Sequence, residues 1–87
     1  MITKDVKIEN ETGIHARPAS ILVEAANNFK ADIKLIYDGR EANLKSIISL
    51  MSLAVGSGET VTIRANGDDE KEAVKKMAAT IKEDLKS

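Results

Sequence analysis

Cysteine is absent from this chain, which excludes disulfides, thiol catalysis and cysteine-ligated metal and makes the cytoplasm the expected compartment. Aromatics are reduced to Phe29 and Tyr37, so the core must be built from aliphatic residues and methionine, and bases would find no stacking platform. Excess charge of either sign is missing too: 13 Lys and Arg stand against 14 Asp and Glu, a net charge of -1. That balance supplies no drive toward nucleic acid or an anionic membrane. No apolar run reaches the roughly 18 residues of a membrane span, and Met1 to Val6 lacks the ~7–15-residue apolar stretch of a signal peptide. With one histidine, no calcium-loop spacing of carboxylates and no lysine after Gly56-Ser57-Gly58, neither a metal nor a nucleotide cofactor is expected. No serine, histidine and acid grouping with a local signature points to a hydrolase.

Eighty-seven residues suffice for one domain, 1–87, burying roughly 60–65% of the surface that its unfolded chain exposes. Residues 2–8 alternate, with Ile2, Val6 and Ile8 on one face and Lys4 interrupting it, which predicts a half-buried strand. From Ala16 to Phe29, Ala19, Leu22, Ala26 and Phe29 recur at helical spacing. Alternation returns at 31–37, and Asp38-Gly39 signals a hairpin into a strand at 40–44. Ser46 is a reasonable N-cap for a helix of about two turns over 47–53, and Val61, Ile63 and Ala65 mark a fourth strand. A last helix runs to Leu85, with Asp69 as N-cap, Glu72 completing a loose capping box, and Lys82 and Lys86 near its negative end. The order βαββαβα, with one apolar face per strand, predicts an α+β fold in which three helices cover one face of a four-stranded sheet.

The unusual chemistry is concentrated in Thr12 to Ala19, which holds the only histidine, the only proline and one of three arginines. Pro18 reads as the first helical position or close to it, placing His15 at a helix N-terminus. Free N–H groups there favour an anion, and Arg17 adds a charge-assisted contact. An imidazole offers a ring nitrogen able to attack a phosphoryl group, whose oxygens would meet the N–H groups of Ala16 and Arg17. The residues alone leave a plain alternative open, and composition favours it: His15 as an exposed N-cap and Arg17 as a solvated surface residue. A second constellation is Ser46 with the run behind it. Ile47, Ile48, Leu50, Met51 and Leu53 exceed one core-facing stripe, so either Ile47, Ile48 and Met51 face outward as a docking patch or all five cover a sheet edge. Ser46 itself is read first as an N-cap.

Gly13-Ile14-His15-Ala16-Arg17-Pro18-Ala19 resembles the active-site motif of the HPr family, histidine-containing phosphocarriers of the bacterial phosphoenolpyruvate-dependent sugar phosphotransferase system. Asn43-Leu44-Lys45-Ser46-Ile47, followed by Leu50-Met51-Ser52-Leu53, is similar to the regulatory-serine segment of its Gram-positive-type members. The resemblance spans essentially the whole chain. It implies an open-faced β-sandwich with strand order 1-4-2-3, in a carrier rather than a free-standing enzyme. By the same resemblance His15 would accept a phosphoryl group on Nδ1 from enzyme I and pass it to the IIA components of sugar permeases. Arg17 would steady the phosphate. Ser46 would be modified by the HPr kinase/phosphorylase, slowing transfer and permitting association with the catabolite control protein. A branch confined to catabolite repression lacks the histidine, so His15 favours transport. Ile48-Ser49 stands where many Gram-positive-type members have Met-Gly, and Glu24, Asn27 and Ser49 stand where enteric members carry lysines. Docking is therefore expected to rest on Ser20, Ile47, Ile48 and Met51. The alternatives are a regulatory module acting through Ser46 with His15 idle, and a phosphocarrier of the nitrogen pathway.

Overall fold

The four alternating segments become strands β1 (Ile2–Lys7), β2 (Asp32–Tyr37), β3 (Arg40–Asn43) and β4 (Thr60–Asn66) of one antiparallel sheet in the order β1-β4-β2-β3. The structure, a computed structural model, describes residues 1–85; Lys86, assigned above to the last turn, lies outside them. Helices α1 (Ala16–Ala26), α2 (Ile47–Ser52) and α3 (Glu70–Ala79), the last extended by a π-turn over Thr80–Asp84, complete the expected βαββαβα order. The arrangement is the open-faced sandwich anticipated from the motifs.

Register explains which residues are buried. Ile63 lies opposite Lys4 on one side and Leu35 on the other, and Leu35 pairs with Ala42. Ile63, Leu35 and Ala42 are buried, whereas Lys4, on the edge strand β1, is exposed. Lys4 thus interrupts the apolar face without entering the core. The core joins these positions to Leu22 of α1, Leu50 of α2 and Met77 of α3, all fully buried. At ~1.5–3 kcal/mol for each large aliphatic side chain, this burial is the main stabilising contribution in a chain nearly without aromatics. The opposite sheet face meets solvent, with Arg64 paired to Glu41 at 2.7 Å and the Thr62 hydroxyl donating to Asp5 at 2.7 Å. Asp38 and Gly39 take φ of 53° and 75°, the doubly left-handed turn that the Asp-Gly pair predicts.

Three expectations are corrected. Helix α1 stops at Ala26 rather than Phe29: the Asn28 and Phe29 N–H groups donate only three residues back, to Ala25 and Ala26, while the Asn28 side chain takes the Glu24 carbonyl. Phe29 still packs on the core from beyond the helix end. The last helix widens after Ala79, where the buried Thr80 hydroxyl donates to the Lys76 carbonyl at 2.8 Å. Asp69 stands at the N-cap of α3 but caps nothing there. Its two carboxylate oxygens instead accept the N–H groups of Lys30 and Ala31, both at 2.8 Å, clamping the entry to β2. Glu70 rather than Glu72 reaches back, accepting the N–H of Gly67 at 3.1 Å instead of that of Asp69, and it pairs with the amino terminus at 2.9 Å.

The hydrogen bonds from Lys30 and Ala31 outweigh desolvation and hold the Asp69 carboxyl below its ordinary value of 3.8. The unfolded chain therefore takes up this proton at a higher pH than the folded one. The clamp's contribution is complete above the unfolded value and is lost as pH falls through the folded one. Asp69→Asn should accordingly be less stable than the parent at pH 6, with the difference shrinking in urea titrations repeated toward pH 3. A difference independent of pH would contradict this assignment.

Candidate functional site

His15 is the N-cap of α1, in extended conformation, and its carbonyl accepts the first helical bond from Ala19 at 2.9 Å. Pro18 is consequently the third helical residue, two places later than the proline signal suggested. The shift is sterically permitted, since each first-turn N–H lacks an intrahelical partner and can be dispensed with. Of the four such groups at this helix start, proline removes one. The N–H groups of His15, Ala16 and Arg17 have no hydrogen-bond partner among the described residues. The His15 side chain makes no capping bond, and no acidic residue stands in the first turn. His15, Ala16, Arg17 and Ser20 are all exposed. An imidazole, a guanidinium and unpaired backbone donors therefore converge at the positive end of one helix, an arrangement suited to a phosphoryl group.

The loop that presents His15 is fixed mainly by backbone contacts. Ile14 is buried, and its N–H donates to the Val55 carbonyl at 2.9 Å. Ile8 and Gly58 exchange further bonds between the same two loops, Ile8 N–H to Glu59 at 2.8 Å and Gly58 N–H to Ile8 at 2.7 Å. Gly13 has φ +71°, and a Cβ there would overlap the Val55 carbonyl oxygen and lie 2.8 Å from the Gly56 Cα. Asn10, only 7% exposed, closes the turn by donating from Nδ2 to the Gly13 carbonyl at 2.7 Å, while its Oδ1 has no partner among the described residues. Neither Asn10 nor the role of Gly13 had been singled out from sequence; a glycine before a functional residue was the available signal for the second.

A depression of about 400 Å³ beside the imidazole is lined by Thr12, His15, Arg17, Pro18 and Ile21, and also by Asp84 and Leu85 from the other end of the chain. Only the fold reveals those last two. Asp84 brings a carboxylate to the same depression, so the charge facing an incoming anion is mixed.

Ser46 is the N-cap of α2, its hydroxyl accepting the Ser49 N–H at 3.2 Å. Leu50 and Leu53 point inward, while Ile47, Ile48 and Met51 are 40%, 83% and 43% exposed. The open choice between core and surface is thereby resolved: three of the five face solvent. Arg40 ties off the other end of α2, donating to the carbonyls of Leu53 at 2.8 Å and Ser52 at 3.4 Å. Lys45, next to Ser46, is engaged with the Phe29 carbonyl at 2.7 Å. Since α2 packs against α1 and the loop after it carries Val55 and Gly56, the apolar patch and the His15 loop belong to one connected part of the structure. Among the described residues no group of acidic, histidine or cysteine side chains is placed to hold a metal ion, and no helix is long and apolar enough to cross a membrane.

Residues 2–83 match the protein family described as the PTS HPr component phosphorylation site. The chain belongs to the HPr family. Its relatives include the HPr-like protein Crh of Bacillus subtilis, 46% identical over 85 residues covering 98% of this chain and all of that one. Among solved structures, HPr from Thermoanaerobacter tengcongensis superposes with a TM-score of 0.93 at 40% identity, covering 98% of this chain and 96% of that one. Phosphocarrier protein HPr from Bacillus anthracis gives 0.85 at 44% identity, with 90% and 93% covered. An HPr-type phosphocarrier, and not a catalytic enzyme, is what this membership supports.

The close approach at Gly13 yields a controlled prediction. Gly13→Ala should cost ~2 kcal/mol or more in urea unfolding, combining a left-handed alanine with a backbone clash. Gly39→Ala, at φ +75° but with open space around it, should cost only ~1 kcal/mol. Equal losses would show that the Val55–Gly56 contact adds nothing.

Proposed function

We propose that this protein is a cytoplasmic phosphoryl carrier of the sugar phosphotransferase system, charged on His15. The observation that carries the reading is an exposed imidazole at the start of α1, unspent on capping and backed by the unpartnered N–H groups of Ala16 and Arg17. In the reaction His15 Nδ1 supplies its lone pair to phosphorus. The bond from phosphorus to the donor breaks, and that bond's electron pair returns to the donor atom. No general base is needed, because the attacking nitrogen loses no proton to the transfer. The protein's part is to position the ring and stabilise charge, which the backbone donors and Arg17 supply. Family membership nominates enzyme I as donor and the IIA components of sugar permeases as acceptors.

Ser46 and α2 fit the regulatory half of this reading. A phosphoryl group on Ser46 would replace a neutral cap with about -1.5 to -2 charge beside Ile47, Ile48 and Met51. Partners that meet that patch would then be refused or admitted: enzyme I refused, the catabolite control protein admitted, with the HPr kinase/phosphorylase making the change. A second reading, a module of catabolite repression in which His15 is idle, is favoured by this same patch and by relatives such as Crh, described as the catabolite repression HPr of Bacillus subtilis.

One labelling reaction separates them. Incubated with enzyme I and labelled phosphoenolpyruvate, the wild type should acquire an acid-labile phosphate that is absent from His15→Ala, and Arg17→Ala should be charged roughly tenfold more slowly. An unlabelled wild type would leave the regulatory module as the function.

A further inference from the structure

A groove of about 530 Å³ shares no residue with the depression at His15. It runs between the edge strand β1 and helix α3. Its floor is apolar, formed by Ile2, Val74 and Ala78, and its walls carry Lys4, Lys71, Lys75 and Lys82 against a single acid, Glu83. In a chain whose charges balance almost to zero, four cations to one anion is a marked segregation. All four lysines are exposed, and none forms a salt bridge among the described residues. β1 is also the outermost strand on this side, so one edge of its backbone has no strand partner.

We infer that this groove receives an extended acidic segment of a partner protein, laid along β1 with its carboxylates on the lysines and its small apolar side chains on Ile2, Val74 and Ala78. Lys71 and Lys75 are one helical turn apart, about 6 Å along α3, which matches the ~6.8 Å between same-side residues of an extended chain. A segment with Asp or Glu at alternate positions can therefore meet both lysines without bending, while the intervening residues face the apolar floor. Lys4 also clarifies the choice of partner. An edge strand bearing a lysine on its core-facing side repels indiscriminate strand pairing, and an acidic strand is the class of sequence for which that same charge becomes attractive. Nucleic acid is the poorer fit, since the floor is aliphatic and offers bases nothing to stack on. Occupation of this groove uses no residue of the His15 depression or of the α2 patch, so a tethered partner leaves both unoccupied.

The test is titration of the full chain, labelled with 15N, by a synthetic seven-residue peptide alternating Glu and Val. Shifts confined to the groove, among them Ile2, Lys4, Lys71, Val74, Lys75 and Ala78, with His15 unmoved, are expected. In Lys71→Glu combined with Lys75→Glu, two exposed helix positions whose exchange leaves the core intact, affinity should fall at least tenfold. The inference is overturned by the absence of shifts at millimolar peptide, or by shifts spread equally over Lys30, Lys34 and Lys45. Unchanged affinity in the charge-reversed variant overturns it as well. So does equal competition by an oligothymidylate, which would make the groove a general polyanion surface.

Discussion

Two loops that meet backbone to backbone hold the functional end of this protein together. Gly13 lies against Val55 and Gly56 so closely that no side chain fits between them, and Ile14 fastens the contact with a hydrogen bond to the Val55 carbonyl. One loop delivers His15 to the start of α1; the other leaves the end of α2 with its exposed Ile47, Ile48 and Met51. The junction is made largely of main-chain atoms, so its geometry depends on the glycine more than on the side chains around it. The aliphatic core beneath supplies cohesion, and this junction supplies position.

Position is most of what a phosphoryl carrier needs. Phosphoryl transfer asks for a nucleophile held at the correct angle and for charge stabilisation that exists before the phosphoryl group arrives. Proline at the third position of α1 serves this in a way that its usual reading as a helix starter misses. It removes one donor from the helix start and leaves those of Ala16 and Arg17 beside the imidazole, with the Ala19 N–H already committed to the His15 carbonyl. The Asp84 carboxylate across the depression limits how much positive potential accumulates there. Such a balance suits a group that must leave as readily as it arrives.

Much of the fold was legible because its signals are local. Strand alternation, the Asp-Gly turn and the Ser46 cap each depend on residues within a few positions of one another, and each stands where expected. The His15–Arg17–Pro18 grouping was legible for the same reason, although composition alone would have dismissed it. What escaped was long-range. Asp69 looked like a cap and proved to be a clamp on residues 38 and 39 positions away. Asp84 and Leu85 reach the His15 depression only through the tertiary fold. Lys4 seemed to disrupt its strand until the sheet order made that strand an edge. The division of α2 into buried Leu50 and exposed Ile48 likewise needed the sheet in place, since a two-turn apolar helix has no obvious inner face.

On the proposed reading, the loop junction presents His15 so that a phosphoryl group on its ring meets the N–H groups of Ala16 and Arg17. Recording 1H–15N spectra of the chain before and after charging by enzyme I and phosphoenolpyruvate tests it directly. The claim predicts large downfield shifts of the Ala16 and Arg17 amide protons, reversed on hydrolysis, with Ile48 and Met51 little changed. A charged protein in which those two amides do not move would contradict it.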